Sequence, residues 1–131
     1  MHRVAVILWL IVLFFLISGC GPRITPEEAK VLVVLGEIQR GVESNISFEQ
    51  FDQLLTTAKA EIKILEQNTP KNPCFMSAVK KCYASYGIAK KAWLKKEDEK
   101  DPKRKEDMEM TLAFSLTFSA LNINKANKCY D

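Results

Sequence analysis

The residues with the most latent chemistry are four cysteines, Cys20, Cys74, Cys82 and Cys129, and a single histidine, His2. Histidine is the usual general base and metal ligand near neutral pH. Here it precedes an unbroken apolar run, Val4 to Ile17, and nothing after that run supplies another. The chain therefore holds no Glu-x-x-His pair, no haem-attachment Cys-x-x-Cys-His and no zinc-ligand spacing. It also lacks a Gly-rich phosphate loop and a Gly-x-Ser-x-Gly elbow. Met108 and Met110 have thioethers that can ligate haem or copper, but in an apolar segment such side chains fill cores. Cys82 has no partner base to make it a nucleophile. The expectation is no cofactor, no metal site, no catalytic residue, and hence no enzyme.

Charge narrows the partners. The 131 residues carry 19 Lys or Arg and 16 Asp or Glu, a formal net charge of +3. Arg3 is the one charged residue ahead of Cys20, so the remainder keeps a balance of only +2. Such a dispersed excess does not make the basic face that nucleic acid requires, and no nucleic-acid partner is expected.

Met1-His2-Arg3, the apolar run and then Ser18-Gly19 give the order of an export signal: a positive start, a hydrophobic stretch and small residues. Fourteen uninterrupted apolar residues fall short of the roughly 20 that span a bilayer. Ile17-Ser18-Gly19-Cys20 resembles the lipobox of bacterial lipoproteins: an aliphatic residue, a small residue, Gly or Ala, then cysteine. The resemblance implies cleavage before Cys20 and a diacylglycerol on its sulfur. It divides the chain into a signal peptide over 1–19, a lipidated Cys20 with a short linker to residue 24, and a body over 25–131. In enterobacterial lipoproteins an Asp after the cysteine favours the inner membrane. Gly21 stands there, so the outer membrane is favoured for a Gram-negative source.

The body reads as all-α. Thr25-Pro26-Glu27-Glu28 combines an N-cap, proline at the first helical position and a capping-box glutamate, starting a helix predicted to stop at Gly41. Ser47-Phe48-Glu49-Gln50 repeats the box, and Phe51, Leu55, Ala58, Ile62 and Leu65 follow at spacings that form one helical face. That second helix is expected to end near Gln67, ahead of a Pro- and Asn-rich break. A third opens at Pro73, with Phe75, Val79, Cys82, Tyr86, Ala89 and Trp93 as its stripe. Mixed charges then run from Lys90 to Glu109, broken at Asp101-Pro102, as in a solvated hairpin tip.

The last segment is the ambiguous one. Met108, Met110, Leu112, Phe114, Leu116 and Phe118 alternate with polar or small residues, the period of a strand. No other segment offers a strand partner, and an unpaired strand leaves its backbone groups unsatisfied. The expectation is a helix over about 103–127, completing an antiparallel up-down four-helix bundle. Its aromatic residues, with Tyr83, Tyr86 and Trp93, are expected in the core between the last two helices, or else lining a groove there.

If the last two helices turn near residue 100, residues whose numbers add to about 200 face each other. Cys74 then meets Cys129, while Cys82 is about two turns away. A disulfide needs Cα atoms within about 7 Å, so Cys74–Cys129 is the predicted pair and Cys82 a core thiol. The alternatives are three free thiols, or Cys82–Cys129 if the last helix ends early.

These features lead to an expected role as a lipid-anchored envelope module that binds another envelope protein, with the membrane contacted through Cys20. By size, anchor, helices and disulfide it looks like the helical pilotins that escort secretins, which bind a peptide between helices; the likeness is architectural only. The alternatives are a binder of a small apolar ligand or lipid between helices, and a secreted eukaryotic helical signalling protein, for which the sequon Asn45-Ile46-Ser47 would matter. The linker of four residues spans at most about 14 Å. The end holding Cys129 is thus expected to face the membrane and the charged tip to point away.

Overall fold

A computed structural model describes residues 23–68 and 72–130. The expected signal peptide over 1–19 and Cys20 lie outside the described residues. Four helices follow in order: α1 (Pro26–Glu43), α2 (Phe48–Gln67), α3 (Pro73–Asp98) and α4 (Pro102–Lys128), with no strand among the described residues. Each packs on its neighbour in sequence, and α4 returns to α1, which closes an antiparallel four-helix bundle.

Local chemistry sets the boundaries. Thr25 Oγ1 accepts from Glu28 N and Glu28 Oε1 accepts from Thr25 N; Ser47 and Gln50 make the same reciprocal pair. Replacing such a cap by alanine costs about 1 kcal/mol. Asn72 and Asp101 cap α3 and α4, each with a proline next inside. Gly41 does not stop the first helix, contrary to expectation. The helix continues to Glu43, and Asn45 takes the left-handed turn with φ 57°. Ile46 N then donates to Gly41 O and Asn45 N to Val42 O, a Schellman closure. Gly41 is small because Ile46 folds over it: a Cβ there would lie 2.8 Å from Ile46 Cδ1. The sequon residues are therefore both structural, Asn45 as the turn and Ser47 as the next cap.

The five-residue stripe of α2 is buried throughout, as its spacing predicts. It meets Val31, Leu35 and Ile38 of α1 and Phe75, Val79 and Tyr86 of α3. Tyr86 sits among them with its hydroxyl donating to Leu35 O at 3.4 Å, so its one polar atom is not stranded. With 26 and 27 residues against 18 and 20, α3 and α4 outreach the first two helices, and their charged tip projects from the bundle. There Lys96 pairs with Glu109 at 3.0 Å across the hairpin.

The ambiguous segment is helical, but it packs differently from the expectation. α4 buries Ser115, Ser119, Asn122 and Ala126 with Ile123 as its one buried large apolar residue, while its phenylalanines stay out of the core. Ser115 and Ser119 return their hydroxyls to carbonyls one turn back, at 2.8 Å each, which satisfies them without a partner helix. Small residues here let the two backbones approach, and Ser119 Oγ comes within 3.5 Å of Cys82 O.

Candidate functional site

The structure brings Cys74 and Cys129 to bonding distance, with Cα atoms 5.8 Å apart, and leaves Cys82 buried and unpaired. Closing the start of α3 on the end of α4 also positions Tyr130. Its ring packs on Phe75 with centroids 5.7 Å apart, and its hydroxyl donates to the buried carboxylate of Glu28. Glu28 thus accepts from the N-cap at one oxygen and from the chain's far end at the other. The first turn of α1, the disulfide and Tyr130 form one joined end of the bundle, the end at which the chain enters.

Cys82 is chemically quiet. Burial pushes its thiol up to about 12, against a smaller opposing effect of the Tyr86 hydroxyl. Tyr86 is itself raised, first by burial and then by the neighbouring Cys82 and Glu43. A thiol so placed stays protonated and is a poor nucleophile. Among the described residues no three His, Cys, Asp or Glu side chains gather as a metal site. No described helix is long and apolar enough to cross a membrane.

The aromatic residues do not form a groove between α3 and α4. Trp93 turns to α2, stacking on Phe51 at 5.4 Å and edge-on to Phe48 at 5.6 Å. Phe114 and Phe118 are outside the core altogether, 72% and 49% exposed. Met110 and Leu121, 54% and 53% exposed, lie in line with them. The alternating sequence accounts for this outcome. On a helix, every second residue cannot face one way, so Leu112 and Leu116 pack against the core while 110, 114, 118 and 121 run down the opposite side. Their spacings of 4, 4 and 3 were the available signal, hidden by the period of two.

Open grooves mark the surface of the described residues. One of about 270 Å³ lies between α1, α3 and α4, over Tyr86 and Leu116. A second, about 340 Å³, borders the disulfide, with Lys81, Lys125 and Lys128 around it. Another, about 480 Å³, lies between α2 and α3, with Ile62 and Tyr83 lining it beside Lys59, Lys63, Glu66 and Lys80. Lys81 borders α4, and Tyr83, two residues on, is about 200° further round the helix. The α2–α3 groove is thus on the side of α3 away from α4. Asn122, at the second groove, donates to Phe118 O at 3.0 Å while its own Oδ1 is buried without a partner.

Comparison of the chain with protein-family models, with curated proteins and with solved structures finds no match in any of the three.

Proposed function

We propose that this chain is a membrane-anchored envelope lipoprotein whose helical body works by binding another envelope protein. The observation that carries the reading is the join at Ile17-Ser18-Gly19-Cys20: beyond a linker of four residues after the candidate acylation site, Thr25 opens a helix whose first turn is held by its capping box and by Tyr130. A linker of that length keeps the body within about 14 Å of its anchor. One acyl chain holds a protein only marginally, whereas two or three bind stably, at about 0.8 kcal/mol per buried CH₂. For a Gram-negative source, Gly21 favours the outer membrane.

The α2–α3 groove is the surface offered to the partner. Ile62 and Tyr83 give it an apolar lining, and three lysines against Glu66 give its rim a basic balance. An acidic amphipathic helix or peptide suits such a groove: apolar anchors enter it and carboxylates meet the lysines. In cells fed an alkyne-tagged fatty acid, the wild-type chain should take up label and Cys20→Ser should not. Label absent from both, or retained by Cys20→Ser, contradicts the anchor. A photo-crosslinker at Tyr83 should trap one envelope protein, with the product lost on Lys63→Glu; a product indifferent to Lys63 contradicts the groove.

A further inference from the structure

The outer line of α4 continues in both directions beyond its four apolar residues. It reads Lys103, Asp107, Met110, Phe114, Phe118, Leu121, Lys125 and Lys128, at spacings of 4, 3, 4, 4, 3, 4 and 3. This is a narrow seam of the kind two helices share, rather than the broad apolar face of a helix that lies in a bilayer. The charges that flank its apolar row differ in sign, with Lys103 and Lys128 beyond them. Asp107 stands one turn beyond Met110, and Lys125 one turn beyond Leu121, and neither is ion-paired among the described residues.

From Asp107 to Lys125 the line complements its own reverse. Turned end for end about a point near residue 116, it sets Met110 against Leu121, Phe114 against Phe118 and Asp107 against Lys125; the like-charged Lys103 and Lys128 oppose each other only at the outermost ends, where crossing helices diverge. A two-fold axis makes each of these contacts twice, as an isologous interface must. A parallel pairing would instead set Asp107 against Asp107 and Lys125 against Lys125.

We propose that the outer face of α4 is the interface of an antiparallel homodimer, centred near residue 116. The four apolar side chains expose roughly 450 Å² per copy, below the roughly 800 Å² per partner of a standard interface, so the dimer is reversible. Confinement on a membrane raises the effective concentration and favours the pair. The interface does not depend on acylation of Cys20. Where both copies are anchored, the antiparallel arrangement places their entry ends at opposite ends of the dimer. Linkers of about 14 Å then require both bundles to lie along the membrane, not stand on it. The α2–α3 groove, on the side of α3 away from α4, is left free.

The test uses the full chain purified from membranes, with a photo-crosslinking residue at Met110, an exposed position where the fold is not at stake. The expected product joins two copies, residue 110 of one to the segment around Leu121 of the other. Asp107→Lys should lower its yield about fivefold, the effect of turning two exposed attractions into repulsions. Asp107→Lys combined with Lys125→Asp should restore it. A product joining 110 to 110, a product with lipid or with a different protein only, or a dimer yield indifferent to Asp107→Lys overturns the proposal. Fatty-acid labelling of Cys20 is read separately, so loss of the anchor and loss of the dimer are told apart.

Discussion

α3 and α4 are nearly the same length and lie side by side, yet they divide large and small residues in opposite ways. α3 turns Phe75, Val79 and Tyr86 inward to the other helices, with Cys82 and Ala89 between them. α4 buries serines, an asparagine, an alanine and a single isoleucine, and shows its phenylalanines to solvent. The difference teaches that the bundle is held chiefly by the face of α3 that meets α1 and α2. α4 is fastened to α3 by close backbone approach and a covalent link; Leu112, Leu116 and Ile123 pack on the core, and the outer row of Met110, Phe114, Phe118 and Leu121 is left for another purpose.

The contrast is sharpest between two phenylalanines. Phe51→Ala, at a fully buried position between Tyr86 and Trp93, should cost about 4 kcal/mol in urea denaturation at low protein concentration. Phe114→Ala, on the outer line of α4, should change stability by less than about 0.5 kcal/mol under the same conditions. Comparable losses at the two sites would erase the distinction between the faces.

The covalent link comes next. Replacing Cys74 and Cys129 together by serine should cost about 2–4 kcal/mol, since the bond closes a separation of 55 residues. The lost stability should be accompanied by release of Tyr130 and faster hydrogen exchange in the first turn of α1. Non-reducing peptide mapping of the wild type should show the 74–129 peptide and a free Cys82; a linked Cys82 would refute the arrangement.

Close approach is tested by enlarging a small residue. Ser119→Leu should destabilise by about 1–3 kcal/mol, because no space exists between α4 and the backbone of α3 at Cys82. If the variant is as stable as the wild type, the helices are not held apart by side-chain size.

The smallest effect concerns Cys82 and pH. Its thiol titrates near 8.5 when unfolded and is pushed up to about 12 by burial when folded. The folded state therefore holds the proton where the unfolded state has lost it. The stability this contributes is full below about pH 8.5 and is lost as pH rises toward 12. Between pH 8 and 10.5 the urea midpoint should fall more for the wild type than for Cys82→Ala. A thiol reagent should modify Cys82 only after denaturation.

What the sequence made legible follows from where the signal is local. Both capping boxes can be read from four residues each, and the α2 stripe from its spacing alone. The 74–129 pairing required only the turn position and the reach of a disulfide. The end of α1 was less visible, because Gly41 suggests a stop while its actual role is to admit Ile46 beneath the Asn45 turn. The faces of α4 were not legible from hydrophobicity: burial of Ser115, Ser119 and Asn122 depends on the separation of two helices, a property of neither sequence alone. Trp93 was placed on the correct face of α3 but not against its partners, since Phe48 and Phe51 lie far away in the chain.

The account rests most heavily on the division of the chain at Cys20, and the intact mass of the protein extracted from membranes tests it most directly. The predicted species begins at Cys20 and carries the added mass of a diacylglycerol, with or without a further acyl group, on a body containing one disulfide. A chain that retains Met1, or one cleaved elsewhere and free of lipid, would contradict it.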